Sequence, residues 1–262
     1  MKKIINWFLN LIGNILGLSI FVRRRSDNSD ILIIDKNIFS PFFQEEAEIK
    51  LYFEGLKKSN SEWSDNFYKQ CRYYSLSQII EHVSKQNKTD DVVECGVWNG
   101  HSAYMIAKTL KKNKFSGNFY IFDSFEGGLS DKSKEDRNLL REMTSHEILN
   151  EKNIFSSRME NVKKVLANFN FVKIYKCWIP EKFINVKSRR FSFVHIDVDL
   201  YKPTLDSLNF FWPRLRRNGF IVVDDYGSSQ FPGATFAVDE FLKYHAVSFF
   251  YKVPMGACVI IK

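Results

Sequence analysis

The chain has 262 residues, 45% of them hydrophobic, which suits one enzyme-sized domain with a core around a central sheet and one extra terminal segment. Its formal net charge of +8 raises the question of nucleic-acid binding, but the basic residues are spread along the chain and the largest clusters, Arg23 to Arg25 and Lys111 to Lys112, are short. Because no basic and aromatic recognition motif accompanies them, we expect no nucleic-acid partner.

The amino-terminal residues 1–25 form an apolar stretch between basic flanks. Asn6, Asn10 and Asn14 recur at regular intervals and would give a helix one polar face. The segment lacks the small-residue cleavage site of a signal peptide. This pattern favours an amphipathic helix on an anionic membrane surface, at the inner face of the membrane. Two alternatives stay open: a helix that packs in a homo-oligomer or in the core, and a helix that spans the membrane.

Residues 26–70 are polar and mixed, with Asp and Asn turns, and are predicted to be a connecting and lid-like region. From Asp65 to Lys85 the apolar residues have helical spacing, which predicts a helix that packs on the sheet just before the first strand of the main domain. We expect that domain to comprise residues 71–262.

The stretch DVVECGVWNGHSA predicts a strand over Val92 to Cys95, a glycine-bearing turn over Gly96 to Gly100, and a helix from Ser102 onward. Glycine lets a ligand approach the main chain, and the start of a helix offers unpaired N–H groups. The loop has neither the Gly-Lys-Ser/Thr of a phosphate loop nor the G-x-G-x-x-G of a dinucleotide site. Glu94 at the strand end would repel a pyrophosphate but suits an ammonium group.

A second predicted strand, in GNFYIFDSFEGG, ends at Asp123, where a carboxylate is placed to accept ribose hydroxyls. An acid at the first loop and an acid after the second strand suit a nucleoside joined to an amino acid. This combination predicts S-adenosylmethionine as the cofactor.

The next stretch, residues 130–153, is highly charged and follows a Gly-Gly pair, which favours a mobile insertion over the active site or, equally, a solvated helix. Val172 to Tyr175 then predicts a third strand, which leads into Cys177 and Trp178.

Four acidic residues follow two further strands. Asp197 and Asp199 come after Phe191 to Ile196, and the pair Asp224 and Asp225 closes GFIVVDDYG. Carboxylates at the carboxyl ends of neighbouring parallel strands converge on the crevice where open α/β sheets bind ligands. Crowded carboxylates repel one another unless a cation holds them, and oxygen ligands favour Mg²⁺, Ca²⁺ or Mn²⁺. Helix caps or turns are the competing interpretation.

Residues 247–253 and 257–261 predict a final antiparallel hairpin around Pro254. The predicted fold is therefore α/β, with a mostly parallel sheet, helices on both faces and a C-terminal antiparallel hairpin. The cysteines form no C-x-x-C pair and no metal-ligand spacing, so we expect free thiols in a reducing, cytoplasmic compartment.

Five motifs occur in the order VVECGVWNGHSA, IFDSFEGG, HIDVDLYKPTLDSL, RNGFIVVDDYG and PGATFAVDEF. Together they resemble the macrocin O-methyltransferase family, whose members methylate hydroxyls of sugars and related natural products with S-adenosylmethionine and Mg²⁺. The resemblance runs from about Tyr73 to Phe241 and implies a Rossmann-like class I methyltransferase fold with a seven-stranded sheet.

By this resemblance Asp197, Asp224 and Asp225 would hold Mg²⁺. The predicted cofactor contacts are Glu94, Gly96, Gly100, Ser102, Asp123, Ser124, Cys177 and Trp178. Residues 1–70 and 130–160 align with nothing in the family, so the acceptor is predicted only as a small molecule or glycan with neighbouring hydroxyls.

The acceptor hydroxyl needs a group that takes its proton. Asp197 is the first candidate because it would touch the same oxygen; His195, Asp199 and His146 follow. We therefore predict Asp197 and His195 as catalytic residues, with a buried core histidine as the competing interpretation of His195. Catechol-type relatives carry a lysine where this chain has Leu200, so no lysine base is expected there.

Two other classes of function fit single features of the chain. Asp197-Val198-Asp199 is a D-x-D, the motif with which metal-dependent glycosyltransferases hold a nucleotide-sugar diphosphate. A non-catalytic assembly protein with a methyltransferase fold is the second alternative. The glycosyltransferase interpretation leaves ECGVWNG and DDYG unexplained, and an assembly protein would be expected to lose one of the four acids.

Overall fold

The computed structural model describes residues 46–262 except residue 255, together with residues 18–24, 29–35, 9, 11, 12 and 15. The chain divides into two compact units, Met1–Lys50 and Leu51–Lys262.

The first unit contains an antiparallel hairpin of β1 (Leu18–Arg24) and β2 (Ser29–Asp35), in which Phe21 lies opposite Leu32. The predicted helix over residues 1–25 is therefore wrong at its carboxyl end, because the β-branched and aromatic residues of β1 favour pairing with β2. The rest of that prediction lies mostly outside the described residues. No helix in the described part of the chain combines the length and apolarity that crossing a bilayer requires.

The second unit is built on a seven-stranded sheet with the order β5-β4-β3-β6-β7-β9-β8. Neighbours from β5 to β7 are parallel, and β9 pairs antiparallel with both β7 and β8. This arrangement confirms the predicted fold, including the C-terminal hairpin. The strands are β3 (Asp91–Cys95), β4 (Phe119–Asp123), β5 (Val172–Lys176), β6 (Phe191–Ile196), β7 (Leu215–Asp224), β8 (Phe249–Val253) and β9 (Ala257–Ile261).

Helices cover both faces of this sheet, because alternate strand residues point to opposite sides. Val92 packs in a core cluster with residues of α2 and α3, whereas Val93 packs in a second cluster with residues of α6 and α7. The helices are α1 (Glu46–Lys58), α2 (Phe67–Gln86), α3 (His101–Lys112), α4 (Ser145–Ile154), α5 (Met159–Val165), α6 (Tyr201–Phe211) and α7 (Pro232–Tyr244).

The main domain begins earlier than predicted. Its compact unit starts at Leu51, in the middle of α1, and not at residue 71. Tyr52 and Leu56 of α1 are 0% and 2% exposed, so this helix belongs to the core. Within residues 26–70, predicted to be a connecting and lid-like region, the described residues form β2, α1 and the start of α2, and residues 26–28 and 36–45 lie outside the described part.

The strand order places a topological switch point beside β3. From β3 the chain first moves outward to β4 and β5, and then returns to the other side of β3 with β6. Crevices at such points, at the carboxyl ends of the strands, are where open α/β sheets bind ligands. The register sets Glu94 beside His195 and Cys95 beside Ile196, so the loops after β3 and β6 leave the sheet side by side.

Candidate active site

The loop after β3 lies directly against the loop after β6. Asp197 N donates to Cys95 O at 2.8 Å. A Cβ atom on Gly96 would lie 1.8 Å from the carbonyl oxygen of Asp197, and the φ of Gly96 is +80°. Only glycine permits this approach and this backbone conformation. The glycine in this predicted turn is therefore required by the packing of the two loops.

Asp123 holds this loop in place from the end of β4. Its Oδ2 accepts hydrogen bonds from the amides of Val97 (2.6 Å) and Trp98 (3.1 Å), and its Oδ1 accepts one from Phe125 N. Burial raises the pKa of Asp123, the three backbone hydrogen bonds oppose this effect, and the charge of Glu94 adds to it. A carboxylate has about four acceptor positions, so Oδ1 retains the capacity to accept a ligand hydroxyl.

A cavity opens between these loops and the end of β5. Three of the predicted cofactor residues, Glu94, Gly100 and Ser102, are not among its lining residues. Glu94 is fully buried beneath the loop, Gly100 precedes α3 with a φ of +90°, and Ser102 is buried in α3. The cavity is lined by Gly96, Trp98, Phe122, Asp123, Ser124, Gly128, Leu129, Ser130, Phe155, Cys177, Trp178, Ile179, Asp197, Val198, Asp199 and Pro203.

The charged stretch 130–153 begins at the cavity wall with Ser130, and Leu129 and Phe155, which lie just outside its two ends, line the wall as well. The stretch contains most of α4, and near its start Asp136 Oδ1 accepts a hydrogen bond from Tyr201 N of α6 at 2.7 Å. The insertion thus contributes to the wall of the candidate site.

Asp197 lies in the cavity wall and also in an acidic cluster. Carboxylate oxygens of Asp197, Asp199 and Asp225 lie within 4.8 Å of one another, and so do ligand atoms of His195, Asp197 and Asp224. The predicted trio of Asp197, Asp224 and Asp225 does not form one such group: Asp197 belongs to both groups, Asp224 to the one with His195, and Asp225 to the one with Asp199. Asp199 and Asp225 have positive φ values of 60° and 61°, a strained backbone of the kind that clusters at functional sites.

Electrostatics in this cluster fit a divalent cation. Burial and the charge of Asp224 raise the pKa of Asp197 well above its usual range. Burial and the charge of Asp225 do the same for Asp199. Burial also raises the pKa of Asp225 to about 6, despite the opposing charge of Arg72. Crowded, partly buried carboxylates with only oxygen donors are a donor set for Mg²⁺ or Ca²⁺.

Glu94 and His195 form a buried pair beneath the cluster. Glu94 Oε1 lies 2.8 Å from His195 Nδ1, the two side chains are 0% and 1% exposed, and Glu94 Oε2 has no described hydrogen-bond partner. Burial lowers the pKa of His195, but the hydrogen bond and charge of Glu94 and the charges of Asp224 and Asp197 raise it to about 9. His195 is therefore a cation near neutral pH.

Three residues of α2 complete the cluster, and sequence reasoning missed them. Arg72 Nε lies 3.3 Å from Asp224 Oδ2, and its Nη1 lies 3.9 Å from Asp225 Oδ1. Lys69 and Tyr73 are both buried at 7% exposure. Residues 69, 72 and 73 share one helix face by their spacing. Two basic residues on the buried face of an otherwise core-packing helix could have indicated their role.

A model of the macrocin O-methyltransferase (TylF) family matches residues 14–253 of the chain. The chain belongs to the macrocin O-methyltransferase family. This membership confirms the resemblance that the five motifs suggested.

Curated relatives of this family member share about a quarter of their residues with it. The 8-demethyl-8-(2,3-dimethoxy-alpha-L-rhamnosyl)-tetracenomycin-C 4'-O-methyltransferase of Streptomyces olivaceus is 27% identical over 59% of this chain and 60% of its own length. The mycinamicin III 3''-O-methyltransferase of Micromonospora griseorubida is 25% identical over 68% of this chain and 70% of its own length. The chain thus spans less than two thirds of the first of these relatives.

Among solved structures, the O-methyltransferase NovP superimposes with a TM-score of 0.63 at 21% identity, covering 80% of this chain and 88% of that one. At this level of identity the likeness establishes the shared fold. It agrees with the parallel sheet and C-terminal hairpin of this macrocin O-methyltransferase family member.

Cation-free protein is expected to lose stability as the pH rises from 5 to 9. The pKa of Asp225 is raised to about 6 in the folded protein. The contribution of its protonated form to the free energy of unfolding is therefore complete at low pH and is lost as the pH rises through 6 and the carboxyl ionises. The pKa of His195 is raised to about 9 in the folded protein. Its contribution to the free energy of unfolding is therefore complete below the pKa of histidine in the unfolded chain and is lost as the pH rises through 9. Thermal denaturation in EDTA and in Mg²⁺ measures this effect, and Mg²⁺ should raise the Tm more at pH 8 than at pH 5. A Tm in EDTA that is constant or rising over this range would contradict the assignment.

Proposed function

We propose that this protein is an S-adenosylmethionine- and Mg²⁺-dependent O-methyltransferase that acts on a hydroxyl of a sugar, in a glycosylated natural product or a surface glycan. The observation that carries the proposal is the position of Asp197. This residue lies in the cavity wall and also belongs to both groups of metal-ligand atoms. A cofactor site and a cation site that share one residue suit a transfer between a bound cofactor and a bound hydroxyl.

For the cofactor, we propose that the cavity beside Trp98, Asp123 and Trp178 takes S-adenosylmethionine. Asp123 retains an acceptor position for a ribose hydroxyl, and the indole rings provide apolar surface for a base. Ser124 and Cys177 line the same cavity. Glu94 would act on the cofactor's ammonium group only through its unpartnered Oε2, since Oε1 is engaged by His195.

For the cation, we propose Asp197 and Asp225 as two of the protein ligands. The third would be either Asp199 or Asp224. The grouping of oxygens favours Asp199, and the contact of Asp224 with Arg72 supports a different role for Asp224. A divalent cation here would supply Lewis-acid activation of the acceptor's neighbouring hydroxyls.

For the proton, we propose that Asp197 accepts it from the acceptor hydroxyl. His195 is a poor acceptor near neutral pH because it is already protonated and held by Glu94. Its role is to place a positive charge next to Asp197 and Asp224. His146 is exposed on α4, where its Nδ1 lies 3.1 Å from Asn150 Nδ2. These contacts favour Asp197 over both histidines.

The relatives support an acceptor that carries a sugar. Two of them are named for methylating a tetracenomycin rhamnoside and mycinamicin III. Family membership argues against the glycosyltransferase alternative, in which Asp197 and Asp199 would hold a nucleotide-sugar diphosphate. Family membership argues less strongly against a non-catalytic assembly protein. The presence of all four acids argues against that alternative too, because a non-catalytic protein would be expected to lose one of them.

A binding assay separates these functions. S-adenosylhomocysteine is expected to raise the Tm of the full chain, whereas UDP or GDP with Mn²⁺ is expected to leave it unchanged. Stabilisation by the nucleotide alone would favour a glycosyltransferase, and stabilisation by neither would favour an assembly protein. Methyl transfer from labelled S-adenosylmethionine to glycosides with neighbouring hydroxyls then tests the reaction itself.

A further inference from the structure

Lys69 of α2 is a buried cation with unusually few partners. Its side chain is 7% exposed, and its ammonium donates one hydrogen bond, to Ser64 Oγ at 2.8 Å. In the described part of the chain no carboxylate forms an ion pair with it. Asp65, the acid nearest to it in sequence, is engaged by the Tyr52 hydroxyl at 2.8 Å and by Gln70 Nε2 at 3.0 Å.

Two other basic residues near the acidic cluster, by contrast, each have a carboxylate partner. Arg72 contacts Asp224 and Asp225, and His195 is bonded to Glu94. Buried charges in proteins are as a rule paired or hydrogen-bonded, because an uncompensated charge in a low dielectric is costly. Lys69 is stabilised only by a neutral hydroxyl and by the rings of Tyr73 and Trp98, and in the described part of the chain no carboxylate balances its charge.

Lys69 is not itself a lining residue of the cavity, but it lies close to two aromatic rings, and one of them belongs to the cavity wall. Its ammonium lies 5.3 Å from the centre of the Tyr73 ring and 5.8 Å from that of Trp98. Trp98 lines the cavity, and its ring packs at 5.4 Å against Trp63, which is 69% exposed. Burial lowers the pKa of Lys69 to about 8, and the charge of Asp197, ahead of that of Asp65, opposes this effect. Lys69 thus lies beside the aromatic part of the cavity wall, and Asp197 is the carboxylate that most favours its charged form.

We propose that Lys69 binds an anionic group of the acceptor, so that the substrate is an acidic sugar whose carboxylate or phosphate pairs with this ammonium while its hydroxyls face Asp197. The inference rests on the proposed function and narrows its acceptor class. An ammonium with donors to spare offers a charge-assisted hydrogen bond to such a group. The flanking indole rings would pack against the apolar face of a sugar ring.

The test is calorimetry on the full chain loaded with S-adenosylhomocysteine and Mg²⁺. Each anionic sugar is paired with a neutral one of the same ring configuration: D-glucuronate and D-glucose 1-phosphate against D-glucose, and D-galacturonate against D-galactose. Wild-type protein is expected to bind at least one anion about tenfold or more tightly than its neutral counterpart. Tighter binding of a uronate would identify the bound group as a carboxylate, and tighter binding of D-glucose 1-phosphate would identify it as a phosphate.

Lys69→Met should remove this preference, and Lys69→Gln provides a second neutral variant if the methionine variant folds poorly. Lys202→Met is the matched control, because Lys202 is an exposed lysine paired with Asp206 on α6. It should keep the wild-type preference. Equal affinity for the two sugars of every pair in the wild type, or a preference that survives in Lys69→Met, would overturn the inference. Failure to bind S-adenosylhomocysteine would instead count against the proposed function.

Discussion

Asp197→Asn is expected to lower the rate of methyl transfer by about 10²–10⁴-fold, the range associated with loss of a positioned general base. The substitution keeps the shape of the side chain but removes the charge that lies both in the cavity wall and in the acidic cluster. EDTA should abolish transfer in the wild type, and added Mg²⁺ should restore it. The readout is single-turnover transfer from labelled S-adenosylmethionine.

The control for this experiment is Asp131→Asn, since Asp131 is fully exposed and forms only a surface ion pair with Lys152. Its activity should stay close to that of the wild type. Asp197→Asn should still bind S-adenosylhomocysteine, because most of the cavity wall is unchanged. Asp199→Asn and Asp224→Asn compared side by side then decide which carboxylate completes the cation site. Full activity in EDTA would show that no cation takes part.

Glu94→Gln is expected to lower the free energy of unfolding by about 3–5 kcal/mol, the cost of breaking a buried charge pair by removing one partner. His195 would remain at 1% exposure without the carboxylate that holds its proton. Chemical denaturation at pH 7 measures the loss. From the sequence alone, Glu94 is predicted only as a contact to the ammonium group of the cofactor.

Two further variants make this result specific. Glu126→Gln removes a carboxylate from an exposed pair with Lys176 and should leave the free energy of unfolding close to that of the wild type. Replacing Glu94 and His195 together by glutamine should cost less than the sum of the two single substitutions, because no charge is left unpaired. Additive losses, or a Glu94 variant as stable as the wild type, would contradict a coupled pair.

Local sequence patterns sufficed for the elements of the sheet and for the positions of its acidic residues. Hydrophobic runs between glycine, asparagine and aspartate predicted β3, β4, β6 and the C-terminal hairpin, because strand formation there follows from residues that are neighbours in the chain. The same local reasoning failed over residues 18–24, where pairing with β2 outweighed helical spacing.

The residues alone therefore suffice to predict the order of the strands along the chain, the glycine turn after β3 and the acids that follow β6 and β7. Only the tertiary structure decided their partners. Glu94 and His195 meet across 101 residues because the parallel register of β3 and β6 sets them side by side. Arg72 reaches Asp224 and Asp225 because α2 packs against β6 and β7. Side-chain pairing of this kind depends on the geometry of the whole sheet, which no local pattern of residues encodes.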